Sequence, residues 1–196
     1  MRIFLFFYFS VVSLHAQERF EVKGIGISIK VPQDWLEMKN SEILDNLNNY
    51  DFTEEQKINL LSSNNSANEL VTYYKYNPSK FNGIIPTIKI RTRNTSSKSI
   101  AEFLKFIEAS NNEVRKTLKN FEYQIKPEVI TLSGKKVVSF SVKFVLIHNG
   151  KEKSIVSKSY YVLKNGYYIS INFIEEFNKE NNEVFFNELI NTIQLD

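Results

Sequence analysis

The sequence predicts an α+β fold, with a mainly antiparallel sheet of about seven strands and helices on both sheet faces. Three observations carry that expectation. Four strand-like runs follow one another almost without a break from Phe121 to Glu175, joined by Ser133-Gly134, Asn149-Gly150-Lys151 and Asn165-Gly166, the residue types that tight hairpins require. The element order is strand, helices, two strands, helix, four strands, helix, which favours antiparallel pairing over βαβ crossovers. Strands such as Tyr167 to Ile174 carry aromatic or branched residues at both parities, as a strand covered on two faces does.

The amino end reads as a targeting segment. Met1-Arg2 precedes an apolar run from Ile3 to Leu14, the length of a signal-peptide core and short of the roughly 20 residues a spanning helix needs. Cleavage is expected after Ala16, with Ser13 as the alternative, leaving residues 17–196 as one domain with no transmembrane segment. No cysteine follows the run, so a lipid-anchored form is not expected, and the mature chain is expected to be periplasmic or secreted.

Arg19 to Val31 then reads as one strand with Ile25, Ile27, Ile29 and Val31 on a face, and Gly24 and Gly26 as the mark of a bulge or a close neighbour. Pro32-Gln33-Asp34-Trp35 ends it. A short helix is expected over 42–49. A second is expected over 54–63, opened by Thr53 with Gln56 in a capping box. Glu69 to Tyr76 and Ile84 to Arg93 read as a hairpin around the Asn77-Pro78 to Asn82-Gly83 turn. Ser99 and Glu102 form a further capping box, and Ile100, Phe103, Leu104, Ile107, Val114 and Leu118 follow at helical spacing, with Asn111-Asn112 as the place for a kink. The strands Phe121 to Leu132, Lys136 to Asn149, Lys153 to Leu163 and Tyr167 to Glu175 come next, and a helix over 180–192 closes the chain. The expected core includes Phe140, Phe144, Ile169, Ile171, Leu189 and Ile193.

At 196 residues, 42% hydrophobic and 24% charged, the composition is that of a single globular domain. The chain has no cysteine, which excludes disulfides, thiolate catalysis, iron-sulfur clusters and sulfur-ligated zinc. Its histidines are His15, in the segment expected to be cleaved, and His148, so no poly-histidine metal site can form. No cofactor and no metal are expected.

Charge is unevenly distributed. Residues 17–69 hold five Lys/Arg and ten Asp/Glu, residues 70–164 hold eighteen and six, and residues 165–196 hold one and six. The alternatives are an ordinary mixed surface, with ends and middle cancelling in space, and a basic face for an anionic partner such as an envelope protein, glycan or lipid head group. The sharpest local element is Lys89-Ile90-Arg91-Thr92-Arg93, in which strand alternation places Lys89, Arg91 and Arg93 on one surface. Export takes the chain away from nucleic acid, and none is expected as a partner.

The strand closing on Pro32-Gln33-Asp34-Trp35, the helix after a two-strand hairpin, Gly166-Tyr167-Tyr168-Ile169 and the terminal Phe186-Asn187-Glu188-Leu189-Ile190-Asn191-Thr192-Ile193 resemble the PsbP-like superfamily. The resemblance implies an αβα sandwich that binds proteins without catalysis. The chain departs from it in the two helices expected between Trp35 and Leu70, and no metal-binding or Ran-contacting motif of the family matches here.

Residues with chemistry are few. His148, at a hairpin end, lacks a sequence-adjacent nucleophile and orienting acid. Glu175, Glu176, Glu180 and Glu183 have oxygen donors for a hard cation but no calcium-loop spacing. Trp35 and Tyr74, within a chain that is 14% aromatic, are the candidates for a recognition rim, with core packing as the alternative. The expected function is an exported, non-catalytic binding or accessory protein of the cell envelope, with Lys89, Arg91, Arg93, Trp35 and Tyr74 as its binding residues. A carboxylate-dependent hydrolase, or an assembly or stress factor that holds protein partners, is the alternative.

Overall fold

A computed structural model describes residues 18–41, 44, 53, 55 and 67–196. The expected signal peptide and, but for single positions, the expected helices 42–49 and 54–63 lie outside the described residues. Ten strands, two α-helices and one 3-10 turn (Lys23–Ile25) are described: β1 (Arg19–Val22), β2 (Ile27–Lys30), β3 (Leu36–Lys39), β4 (Asn68–Tyr74), β5 (Thr87–Asn94), α1 (Ile100–Thr117), β6 (Lys119–Leu132), β7 (Lys135–His148), β8 (Lys151–Leu163), β9 (Tyr167–Glu176), α2 (Glu183–Ile190) and β10 (Gln194–Leu195). All pairings are antiparallel. Seven strands form one sheet in the order β3-β4-β5-β9-β8-β7-β6, and β1-β2-β10 form a second. Among the described residues no helix is long and apolar enough to cross a membrane.

The large sheet is open, with β3 and β6 at its edges, and β6 to β9 form a meander. From β5 the chain passes through α1 to the far edge, then returns strand by strand until β9 docks beside β5 at the centre. Each hairpin turn uses residues that tolerate positive φ. Ser133-Gly134 and Asn149-Gly150 have both central residues left-handed, at 50° and 74° and at 51° and 71°, which matches the twist of the strands they join. The edge strand β6 carries Pro127 and three register shifts against β7, irregularities that leave a poor template for a further strand.

Two apolar clusters form the core. One joins Ile88, Ile90, Ile169, Ile171 and Phe173 to Phe186, Leu189 and Ile190 of α2 and to Phe20, Val22, Ile27 and Ile29 of the small sheet. The other joins Phe103 and Ile107 of α1 to Phe121, Val138, Phe140, Val142 and Tyr168. Successive residues fall into different clusters at Val137 and Val138 and at Tyr168 and Ile169, as side-chain alternation dictates.

Several sequence expectations change in detail. Arg19 to Val31 is not one strand. At Gly26, φ is +64° and the backbone N–H donates to the carbonyls of Val22 and Lys23, so the chain reverses and β1 pairs with β2. The glycines read as a bulge mark a hairpin, and β10 joins β2 from the other side. Asn111-Asn112 does not break α1, which runs through 18 residues anchored by the buried Phe103 and Ile107. The last helix is shorter than expected: it runs from Glu183 to Ile190, and before it Glu180 and Asn182 bind the side chains of Lys75, Tyr76 and Glu175. Phe144 lies at the margin of its cluster rather than within it.

Candidate functional site

The site is built on β5. Its register places Lys89 between Thr72 of β4 and Asn172 of β9, Arg91 between Glu69 and Ser170, and Arg93 opposite Tyr168. Directly opposed residues of an antiparallel pair share a face. Lys89, Arg91 and Arg93 therefore stand together, while Ile88 and Ile90 point into the core. The register puts the three cations on one face, with Lys89 and Arg91 half-buried and Arg93 exposed.

Its electrostatics are unbalanced. Glu69 is the carboxylate that faces the strip: its Oε2 accepts from Arg91 Nη2 at 3.0 Å and Nε at 3.3 Å, and its Oε1 from Thr72 Oγ1 at 2.6 Å. Burial by itself would raise Glu69, but the Thr72 hydrogen bond and the charges of Lys89 and Arg91 hold it below the usual carboxylate value. Lys89 is half-buried, and its Nζ has no hydrogen-bond partner among the described residues. Burial, and then the neighbouring Arg91, lower its proton affinity, with Glu69 opposing. Beside the strip, Asn172 Oδ1 accepts from Ser159 Oγ at 2.9 Å and Tyr161 Oη at 3.4 Å. Burial, with a smaller push from Tyr168, raises the Tyr161 phenol to about 12, against the Ser159 hydrogen bond and the nearby Arg93 and Arg91.

Tyr74 joins this face at its edge. It pairs with Thr87 on one side and Leu36 on the other, and Met38 pairs with Thr72, so Leu36 and Met38 border the strip while 44% and 58% exposed. Trp35 does not. One residue before Leu36, it turns the other way, stacks on Phe185 at 5.3 Å between ring centroids and meets the edge of Phe186 at 6.2 Å. The structure thus brings together Lys89, Arg91, Arg93 and Tyr74 and places Trp35 against α2. Sequence reasoning missed Asn172, Ser159 and Glu69. A signal for Asn172 was present: Ser170 and Asn172 occupy one parity of a strand whose other parity is Ile169, Ile171 and Phe173, so that parity had to face something polar.

A cavity of about 550 Å³ lies under the β9–α2 connection, with Phe173, Phe177, Phe186, Ile125, Lys158 and Glu175 in its wall. Three of the four carboxylates considered for a cation, Glu175, Glu176 and Glu180, are tied up here. Glu175 Oε2 accepts from both nitrogens of Asn182, Glu176 pairs with Lys153 and Lys179, and Glu180 pairs with Lys75 and accepts from Tyr76 Oη. Among the described residues no group of three His, Asp or Glu is placed to hold a metal ion. His148 ends β7, with Nε2 3.3 Å from Asn149 Nδ2.

Comparison with family models and with curated proteins finds no match in sequence. Solved structures do match. LpqN of Mycobacterium tuberculosis, described as involved in cell envelope biogenesis, is 15% identical with a TM-score of 0.52 over 91% of this chain and 90% of that one. The cyanobacterial PsbP of Synechocystis sp. PCC 6803 is 9% identical with a TM-score of 0.52 over 95% and 96%. The Saccharomyces cerevisiae Ran-binding protein Mog1p is 10% identical with a TM-score of 0.48 over 91% and 95%. The chain has the PsbP-like fold, as the resemblance in its sequence implied.

Proposed function

We propose that the chain is an exported, non-catalytic accessory protein of the cell envelope that holds a protein partner on the face formed by β3, β4 and β5. The observation that carries this is the exposure of Leu36 and Met38 beside Tyr74 and a row of three cations, on the part of the sheet lying away from the cluster that α1 makes with β6 and β7. Apolar and aromatic side chains with a charged border are what a protein interface is made of. The division of the core into an α1 cluster and an α2 cluster supports the αβα sandwich, with helices on both faces and, among the described residues, no helix over this portion of one face. The envelope role described for LpqN supports the compartment, and the apolar run from Ile3 to Leu14 supplies a means of reaching it.

The test has two parts. Mass measurement of the chain recovered from the envelope fraction of its host is expected to give an amino terminus at Gln17; an intact Met1 terminus in the cytosol would remove the export claim. Affinity capture from the same fraction is expected to recover a protein with the natural chain and to lose it with Met38→Asp. Equal recovery with both would remove the assignment of this face.

A further inference from the structure

We propose that Lys89 and Asn172, with Arg93 beyond them, form a seat for one oxyanion, a carboxylate or phosphate group carried by the partner that docks on this face. The inference rests on the reading of the face given above and adds the chemistry by which the partner is recognised.

Lys89 and Asn172 are direct cross-strand partners, so their side chains stand side by side on one surface. The Asn172 carbonyl oxygen is occupied by Ser159 and Tyr161, which orients the amide and leaves its two N–H donors with no acceptor among the described residues. The Lys89 ammonium likewise donates to none. Among the described residues the carboxylate beside the strip, Glu69, already serves Arg91 and Thr72 on both oxygens. Both groups are only partly buried and keep access to solvent, so they stand as adjacent donors, one charged and one neutral, open to an acceptor from outside the described residues. One oxyanion accepting from Lys89 Nζ and Asn172 Nδ2 uses both sets of donors and reduces the excess of positive charge left by Lys89, Arg91 and Arg93 against Glu69. Burial and the neighbouring Arg91 lower the proton affinity of Lys89 more than Glu69 raises it. The cavity beside Phe173 offers no such set of donors, since Lys158 donates to Asn187 Oδ1 at 2.6 Å and Glu175 accepts from Asn182.

The experiment is a titration of the isotope-labelled mature chain, followed at the Asn172 side-chain amide by NMR. Inorganic phosphate and acetate are added separately, at constant ionic strength with chloride as the balancing anion. A saturable shift is expected for phosphate or for both probes, and Lys89→Gln is expected to weaken it about tenfold, the loss of one charge-assisted hydrogen bond. Lys126→Gln, a cation on the edge strand β6, is expected to leave it unchanged. Arg93→Gln, at the exposed rim, is expected to weaken it less, and it replaces Lys89→Gln should that variant not fold. A response to phosphate alone assigns a phosphorylated group, and a response to both shows that a carboxylate suffices. A shift that does not saturate, or one that Lys89→Gln and Arg93→Gln leave intact, overturns the seat. If the titration fails while Met38→Asp still abolishes capture, the docking face stands without the seat. If the titration succeeds while Met38→Asp changes nothing, the seat stands and the docking face falls.

Discussion

Glu180 shows how single residues hold the β9–α2 connection. Burial alone would raise its pKa, yet hydrogen bonds from Lys75 Nζ at 2.6 Å and Tyr76 Oη at 2.9 Å outweigh burial and hold it below the usual 4.5. A carboxyl lowered by folding stabilises the fold above its unfolded pKa, and that contribution disappears as pH falls through the lower folded value. Urea midpoints are therefore expected to fall as pH drops below 4.5. Lys75→Met is expected to cost about 1 kcal/mol at neutral pH, in the range of a partly exposed charged pair, and less at low pH. A Lys75→Met penalty that is the same at both pH values would show that the pair does not supply this linkage. Tyr161 has the opposite sign. Its phenol is pushed up to about 12, so its protonated form stabilises the fold below pH 10, and that contribution is lost as pH rises towards 12. Phenolate absorbance is expected to leave a slow fraction protonated past pH 10 in the native chain and to release it in urea; Tyr161→Phe is expected to shrink that fraction. Full titration of the native chain near pH 10 would contradict the burial assigned to this ring.

Elements were legible where a local rule acts alone. Ser99 caps α1, accepting from the Glu102 backbone at 3.2 Å, although the returning Glu102 carboxylate reaches the N–H of Lys98 rather than that of Ser99. Ser99→Ala is expected to cost about 1 kcal/mol, and Phe103→Ala, which empties a fully buried position, about 3 to 5 kcal/mol. Urea denaturation that ranks Ser99→Ala above Phe103→Ala would show that α1 is held by its cap and not by its packing. The glycine- and asparagine-containing turns of β6 to β9 were legible for the same reason, since positive φ restricts the residue type. The reversal at Gly26 was not. Alternation of Ile25, Ile27 and Ile29 looks the same in one strand as in two joined by a tight turn. The partner that requires the glycine is also remote: a Cβ there would lie 2.9 Å from the Asp196 Cβ. Gly26→Ala is expected to loosen β10, seen as faster hydrogen exchange at the Asp196 amide, which donates to the Gly26 carbonyl at 3.2 Å. Unchanged exchange would mean that β10 does not depend on this contact.

At the scale of the whole molecule, the charge blocks of the sequence partly cancel and partly do not. Arg91 with Glu69, Lys75 with Glu180 and Lys153 with Glu176 each join a cation of the basic middle to a carboxylate of an acidic end. Composition could not show which cations would be left over, because pairing across 22 to 105 positions of chain depends on the sheet order. Alternation alone was enough to put Lys89, Arg91 and Arg93 on one surface. It could not show that Asn172 lies beside them, since β9 reaches β5 only after the meander returns. Trp35 was misleading for a related reason. Leu36 is its sequence neighbour, yet consecutive strand residues face opposite ways, and the tryptophan turns to α2. The most direct test of the docking face is a photo-reactive amino acid placed singly at Met38, at Tyr74 and at Lys126 of the chain expressed in its own host. Discrete protein adducts from positions 38 and 74, lost when Lys89 and Arg93 are replaced by Gln, with none from position 126, are the expected result; adducts from position 126 with none from 38 or 74 would contradict it.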